Sequence, residues 1–266
     1  MERPADRWSS GNDYEGFMGR WSRLVAPEFL ARVDVPAGAD WLEIGCGTGE
    51  LSRQILELTT PSRLVAVDPS EGFLDYARAH VLDERVRFEI GTALELPGDE
   101  GPFDAIVSGL VLNFVPDRTA ALAALHGALA PGGILAAYVW DYAGEMWFLR
   151  RFWDAAREID PANDEGDRFD FCNPRDLRAM FEAAGLDEVE TSEIVIPTHF
   201  ASFDDYWNPF LGGAGPAGAL VTSLPDPERE ILRDSVRARL PISPDGSIPL
   251  TARAWVVTGR AATPVE

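Results

Sequence analysis

A glycine-rich turn near the N-terminal end of the chain is the first segment whose residues could do chemistry. Residues 45–49 read G-x-G-x-G, and the apolar run 40–44 in front of them predicts a short buried strand. The segment that follows, as far as Leu58, predicts a helix that Thr48 would cap. Glycine has no Cβ atom, so backbone amides in such a turn can approach a ligand closely, and the first amides of the helix point into the same space. The turn therefore predicts a binding site for a nucleotide.

The residues around the turn narrow the choice of nucleotide. Asp68 ends a second apolar run about 20 residues further on, where a carboxylate can hold ribose hydroxyls. The dinucleotide fingerprint G-x-G-x-x-G is not met, because Glu50 occupies the position of its third glycine. A P-loop is excluded because the chain contains no lysine. Glu43, just before the turn, suits a cationic ligand better than a pyrophosphate. The alternative is a glycine turn that serves only as a structural corner.

Composition excludes several classes of function. The formal net charge of −21 disfavours nucleic acids and anionic membranes as partners. The lack of lysine excludes Schiff-base chemistry, and the two cysteines, Cys46 and Cys172, lie in no CxxC pair that would indicate zinc or a disulfide framework. His80, His126 and His199 show no metal spacing. No apolar run reaches the ~20 residues of a membrane span and no signal peptide is recognisable, so we expect a globular, cytoplasmic protein without a metal.

Strand and helix patterns alternate between residues 40 and 140, which predicts a doubly wound parallel sheet. The five predicted strands are 40–44, 64–67, 86–90, 103–108 and 134–139. Pro131-Gly132-Gly133 is expected to end the helix that precedes the fifth strand. Right-handed crossovers place the carboxyl ends of all five strands at one edge, where ligands bind in this architecture. One crevice at that edge could hold the glycine turn, Asp68 and the segments 92–94, 108–113 and 140–142.

The second half of the chain is less regular. It predicts helices at 145–159 and 173–185, a sixth strand at 186–197 and a last strand at 252–258. Residues 198–246 interrupt this order and are rich in aromatic residues and glycine. Two interpretations stay open for this segment. It is either a lid with a substrate pocket, or it packs against the sheet edge or forms a homodimer contact.

The motif Glu43-x-Gly45-x-Gly47-x-Gly49 resembles motif I of the class I S-adenosylmethionine (SAM)-dependent methyltransferases. Asp68 and the loop 109–117, which is similar to motif IV of that family, extend the resemblance over residues 14–140. The resemblance implies an α/β fold with a Rossmann-like sheet of seven strands, parallel except for one antiparallel strand, in three α/β/α layers. The implied organisation is a single domain of residues 1–266, with a helical lead-in at 1–35 and a helical insertion at 198–246 before the last strand.

The resemblance also implies which residues bind SAM. Glu43 and the glycine turn would hold the methionine moiety, while Asp68 would hold the ribose. An arginine of the lead-in would pair with the α-carboxylate, and spacing does not distinguish Arg20 from Arg23. The family usually has aspartate where this chain has Thr92, which weakens a side-chain contact to adenine and leaves the amide of Ala93. The implied cofactor-binding residues are Tyr14, Arg20, Arg23, Glu43, Gly45, Cys46, Gly47, Thr48, Gly49, Asp68, Pro69, Thr92, Ala93, Leu94, Ser108 and Leu110.

The reaction implied is in-line attack by a small-molecule acceptor on the methyl group of SAM, which leaves S-adenosylhomocysteine. The aromatic second half favours a flat or apolar acceptor. The candidates for a general base are Asp141, Tyr142, Asn113 and His199. Two other classes stay open: a SAM-binding regulatory or assembly protein without transferase activity, and an oxidoreductase with the same sheet. The glycine spacing disfavours the oxidoreductase.

Overall fold

The computed structural model describes residues 15–96, 98, 101–163, 168–213 and 215–263. The described residues divide into two compact units. The sheet unit takes its residues from 22–139, 171–194 and 254–266, and the aromatic unit takes its residues from 1–21, 140–170 and 195–253. The single domain 1–266 stays a prediction.

Seven strands form one sheet in the order β3-β2-β1-β4-β5-β7-β6. The strands are β1 (Asp40–Ile44), β2 (Arg63–Asp68), β3 (Val86–Ile90), β4 (Phe103–Gly109), β5 (Leu129–Trp140), β6 (Asp187–Phe200) and β7 (Ile248–Arg260). The pairs β1–β2, β2–β3, β1–β4 and β4–β5 are parallel. From β1 the chain builds the sheet outwards in both directions, through β2 and β3 on one side and through β4 and β5 on the other. The boundary between β1 and β4 is therefore the switch point, where ligands bind in open α/β sheets.

The last strand runs against its neighbour. Asp141 N donates to Arg253 O at 3.0 Å, and Ala261 N donates to Gly133 O at 2.9 Å, so β7 passes β5 in the opposite direction. This arrangement confirms the predicted Rossmann-like sheet with one antiparallel strand.

The apolar runs that predicted the central strands are buried along nearly their whole length. In β1, β2 and β4, the residues after the first are almost all buried, as expected for parallel strands covered on both faces. The prediction for the start of β5 is wrong. The preceding helix ends at Gly127, and β5 takes in Pro131-Gly132-Gly133 through an irregularity in its pairing with β4. Gly132 can sit there because its φ is +76°.

Nine α-helices lie among the described residues: α1 (Arg20–Leu30), α2 (Glu50–Leu58), α3 (Glu71–His80), α4 (Arg118–Gly127), α5 (Trp147–Ile159), α6 (Pro174–Ala183), α7 (Phe203–Leu211), α8 (Gly215–Ser223) and α9 (Asp226–Arg239). Side-chain caps begin several of them: Ser70 accepts from the amide of Phe73, and Asp117 from that of Ala120. The predicted cap of α2 by Thr48 is wrong, because Gly49 occupies the N-cap position with φ +86° and offers no side chain. Among the described residues, no helix combines the length and apolar character that crossing a membrane requires.

Contacts between aromatic side chains stabilise the aromatic unit. Phe152 and Phe210 stack with their centroids 4.7 Å apart, and the hydroxyl of Tyr206 donates to Phe148 O at 2.6 Å. Helices α7, α8 and α9 occupy most of the predicted insertion 198–246. Whether that segment acts as a lid stays a prediction.

Arginine side chains cap the outer edges of the sheet. On the edge strand β3, the guanidinium of Arg78 donates to Phe88 O at 3.0 Å. On the opposite edge strand, β6, Arg32 donates to Glu193 O at 3.2 Å, and Arg178 donates to Val189 O. Leu64 N of β2 donates to Arg85 O, which leaves the carbonyls of even-numbered β3 residues directed outwards. Each edge strand therefore has at least one carbonyl oxygen that is bonded to an arginine.

Candidate functional site

The three glycines of the turn after β1 have three different surroundings. A Cβ atom on Gly45 would lie 2.3 Å from Val111 Cγ2, and one on Gly49 would lie 3.1 Å from Ala77 Cβ of α3. A Cβ atom on Gly47 would meet nothing within 4 Å. The outer glycines are therefore explained by packing. Gly47 is the point where the backbone of the turn faces open space, as a ligand-binding turn requires.

The turn is held from β2. The amides of Gly45 and Cys46 both donate to Val67 O, at 2.7 and 3.0 Å. All three glycines have positive φ angles, at 71°, 53° and 86°, which an L side chain would adopt only with strain.

Asp68 lies at the end of β2 with its carboxylate directed at the glycine turn. Its Oδ2 accepts from Gly47 N at 3.0 Å, and its Oδ1 accepts from Ser70 N at 2.8 Å. Burial raises the pKa of Asp68, and the two amide hydrogen bonds act in the opposite direction. Two oxygens offer about four lone-pair directions, so two remain for ribose hydroxyls. The structure brings Asp68 to the turn as predicted, and its contact with ribose stays a prediction.

Glu43 is a buried carboxyl group behind the turn, with 1% of its surface exposed. It accepts a short hydrogen bond from the hydroxyl of Ser52 on α2. Burial raises the pKa of Glu43 from 4.5 to about 8, the Ser52 hydrogen bond opposes the rise, and the negative charge of Asp68 adds to it. The side chain is therefore largely protonated at pH 7, and a cation placed beside it would favour its ionised form.

The loop after β3 is a closed turn. Thr92 Oγ1 accepts from Leu94 N at 3.2 Å and from Glu95 N at 3.0 Å, which uses the acceptor that the sequence had suggested for adenine. Ala93 is buried, while Leu94 is 43% exposed. Leu94 thus presents apolar surface beside the carboxyl end of β3, and Thr92 shapes the loop that carries it. Pro69 is exposed next to Asp68.

The carboxyl end of β4 reaches the glycine turn from the other side. Ser108 Oγ donates to Ile44 O at 3.2 Å, which ties β4 to β1 just before the turn. Leu110 has φ +62°, an uncommon conformation for a residue other than glycine. Val111 then covers Gly45. Sequence reasoning placed the segment 108–113 at this edge but did not single out Val111, because nothing in the sequence indicates the left-handed conformation of Leu110.

The lead-in residues are placed less simply. Tyr14 lies outside the described residues. Arg20 forms a two-pronged ion pair with Asp205, at 2.8 and 3.2 Å, and its guanidinium lies 4.4 Å from the ring centre of Trp21. Arg23 is exposed. The predicted pairing of Arg20 with a cofactor carboxylate would thus require exchange with Asp205.

The four candidates for a general base come from both units of the chain. Asn113 belongs to the sheet unit, and Asp141, Tyr142 and His199 belong to the aromatic unit. Asp141 accepts from the Nε and an Nη of Arg253, at 3.0 and 2.7 Å, and from two backbone amides. Such a set of donors suits an anchor rather than a proton acceptor. Tyr142 is buried with its ring 4.5 Å from that of Phe169. His199 is exposed. In the described part of the chain, no group of three or more His, Cys, Asp or Glu side chains could hold a metal ion.

Comparisons with known proteins show similarity to methyltransferases in sequence and in fold. A family model described as a methyltransferase domain matches residues 42–133, which contain the glycine turn, Asp68 and the end of β4. The trans-aconitate 2-methyltransferase of Variovorax paradoxus (strain S110) is 37% identical over 112 residues, which is 42% of this chain and 42% of that protein. The demethylmenaquinone methyltransferase of Lactococcus lactis subsp. lactis (strain IL1403) is 27% identical over 195 residues, 65% of this chain and 77% of that protein.

The match to the trans-aconitate enzyme spans less than half of that relative's length. Among solved structures, the Haemonchus contortus phosphoethanolamine N-methyltransferase 2 in complex with SAM is similar in fold, with a TM-score of 0.59. Its sequence is 16% identical, and the match covers 96% of this chain and 57% of that one. The glycine turn, Asp68 and the end of β4 therefore lie in a segment, residues 42–133, that is similar to a methyltransferase domain.

Proposed function

We propose that this protein transfers a methyl group from SAM to a small-molecule acceptor by in-line displacement. The observation that supports this most is the pairing of Gly47 with Asp68. A backbone open on one side and a buried carboxylate 3.0 Å from its amide lie at the carboxyl ends of adjacent parallel strands, next to the switch point of the sheet. That combination suits the ribose and the neighbouring part of an adenosyl ligand.

The residues of the sheet unit would divide the cofactor between them. Asp68 would hold the ribose hydroxyls, and Leu94 and Pro69 would offer apolar surface to the adenine. Glu43 and the glycine turn would lie on the methionine side. When bound, SAM supplies an activated methyl group, so the protein has mainly to align the acceptor and exclude water. The acceptor's nucleophilic atom bonds to the methyl carbon as the carbon–sulfur bond breaks, and S-adenosylhomocysteine leaves.

The acceptor class is the finer part of the proposal. By their names, the relatives reported above act on trans-aconitate and on demethylmenaquinone. The ring-rich aromatic unit favours a flat or apolar acceptor, although a carboxylate-bearing one is the alternative that the first relative suggests. An acceptor with a hydroxyl or an acidic carbon as nucleophile would also need a base.

Calorimetric titration with SAM tests the assignment of Asp68. Replacing Asp68 with alanine would remove the two proposed charge-assisted hydrogen bonds to the ribose hydroxyls. At about 1.5 kcal/mol for each bond, the affinity for SAM should fall by roughly 100-fold. Asp68→Asn keeps the shape of the turn and should lose less. Asp75→Ala, an exposed change on α3, is the matched control. SAM binding by Asp68→Ala as tight as that of the unaltered protein would contradict the ribose assignment.

Release of S-adenosylhomocysteine separates the competing functions. A panel of aromatic, quinone-like and carboxylate acceptors should include at least one that supports product release. Tight SAM binding without release for any acceptor would favour a regulatory or assembly protein. Binding of NAD in place of SAM would favour an oxidoreductase.

A further inference from the structure

Val111 fills the space in which a side chain at position 45 would lie. A Cβ atom on Gly45 would stand 2.3 and 2.7 Å from the two methyl carbons of Val111 and 2.9 Å from its Cβ. Real Cβ atoms do not approach other atoms so closely, so the contact between Val111 and the glycine backbone is as tight as packing allows. The wall on this side of the turn is therefore a side chain of the loop after β4.

Leu110 holds Val111 in this place through a strained backbone. Its φ of +62° turns the chain sharply after β4, and leucine adopts such an angle at an energetic cost. The amide of Leu110 donates to Tyr138 O of β5 at 2.9 Å, and its side chain is buried, with 7% exposed. Tyr138 is itself fixed, because its ring lies 4.8 Å from that of Phe29 on α1. The strained turn is thus held in place by its neighbours.

The backbone on both sides of the Leu110–Val111 turn is also fixed by close contacts. Phe114 N donates to Val111 O at 2.8 Å, which closes the short helical turn Leu112–Phe114 directly behind it. A Cβ atom on Gly109 would lie 2.7 Å from the hydroxyl of Tyr138, so the approach to the turn is equally close. Val111 is therefore positioned from before and from behind, and it cannot swing away without disturbing β4 or β5.

The order of strands says which part of a ligand this contact would affect. Asp68 lies on β2 and the Thr92 loop follows β3, so the ribose and adenine side of the proposed site is the β2–β3 side. Val111 follows β4, on the other flank of β1. Given the proposed function, on which this step rests, the β4 flank is where the methionine moiety and its sulfur would lie.

We propose that the Leu110–Val111 turn is a positioning element that sets the depth of the methionine side of the cofactor site. Val111 packs against Gly45 and so fixes the position of the glycine turn relative to β4. It determines affinity for ligands that carry the methionine moiety, and it leaves recognition of adenosine to Asp68 and the Thr92 loop. Val111 acts through Gly45 and is not a catalytic residue.

Affinities for SAM, S-adenosylhomocysteine and adenosine, measured by calorimetry, test the proposal. Val111→Ala should weaken both methionine-bearing ligands by about tenfold, the lower end of what a small change of apolar volume is worth in a pocket. Its affinity for adenosine should stay within about twofold, as expected for a site that is not coupled to the change. Val65→Ala removes the same two methyl groups from a buried position of β2 and should leave the ratio of SAM to adenosine affinity unchanged.

A size-complementation pair keeps the test sharp if a single variant folds poorly. Gly45→Ala should lose SAM affinity because its new methyl group collides with Val111. The double variant Gly45→Ala/Val111→Ala should bind SAM at least about tenfold more tightly than Gly45→Ala alone, because the two residues share one contact. Val111→Thr, which preserves volume, should keep the unaltered ratio of SAM to adenosine affinity.

Two results would overturn the proposal while leaving the proposed function intact. One is unchanged SAM affinity in Val111→Ala, in a background where the unaltered protein binds SAM. The other is an equal loss for adenosine and SAM, which would mean a general disturbance of the fold. Failure of the unaltered protein to bind SAM would instead refute the proposed function itself.

Discussion

The buried carboxyl group of Glu43 should make the protein lose stability as the pH rises. Its pKa is 4.5 in an unfolded chain and about 8 in the folded one. Between these values the folded state binds a proton that the unfolded state has released, so the free energy of unfolding falls with increasing pH. The slope is about 1.4 kcal/mol per pH unit, which gives a loss of up to about 4 kcal/mol between pH 5 and pH 8. Asp68, whose pKa is also raised, contributes in the same direction.

Urea unfolding at pH 5, 6, 7 and 8 measures this loss. Glu43→Gln keeps the size of the side chain and an acceptor for the Ser52 hydroxyl, but it cannot ionise. We expect its unfolding free energy to lie close to that of the unaltered protein at pH 5 and to exceed it increasingly towards pH 8. Glu57→Gln removes the same charge from an exposed position of α2 and controls for the change in net charge. Parallel pH profiles for Glu43→Gln and the unaltered protein would refute the assignment.

Two further predictions concern stability. Thr60 has φ +48° at an exposed position after α2, so Thr60→Asn, a residue that tolerates this conformation, should raise the free energy of unfolding by about 1 kcal/mol in urea titrations. A lowered midpoint would show that the turn holds Thr60 for another reason. Arg253→Met would leave the buried carboxylate of Asp141 without its cation and should cost about 3 to 5 kcal/mol, measured by thermal unfolding. Arg63→Met, which breaks a more exposed pair with Asp40, should cost less than about 1 kcal/mol, and equal losses in the two variants would contradict the difference in burial.

Most of the sheet could be predicted from the sequence, because its signal is local. Apolar runs between turn residues gave the first four strands within one residue of their observed ends, and the alternation with helices gave their parallel order. The start of β5 was missed for a physical reason. Pro131-Gly132-Gly133 looks like a stop, yet pairing with β4 continues across it through an irregularity that only the neighbouring strand determines.

The candidate site was predictable where strand ends determine it. Asp68 could be expected beside the glycine turn, because adjacent parallel strands bring their carboxyl ends together. The role of Thr92 in closing its own loop was harder to foresee, because the same hydroxyl could serve a ligand or a turn.

Other features depend on contacts between distant parts of the chain. Arg20 pairs with Asp205, which is 185 positions away, and no local pattern signals that partner. The left-handed backbone of Leu110 is imposed by tertiary packing, and it decides where Val111 points. Sequence reasoning therefore located the glycine turn and the carboxylate beside it, but not the Val111 side chain that packs on Gly45.

The guanidinium groups on the strand edges bear on how the protein behaves at high concentration. An incoming strand from another molecule extends a sheet by donating its amides to unoccupied carbonyls, and such templating starts fibrils. At Phe88 and at Glu193 that acceptor is already bonded to an arginine. Arg78 also bonds to Glu71, because the planar guanidinium carries several N–H donors in fixed directions. A lysine ammonium has no such fixed arrangement of donors. In this chain, which has no lysine, arginines therefore occupy carbonyl acceptors on both edge strands. These bonds oppose the addition of strands from other molecules and so oppose fibril formation.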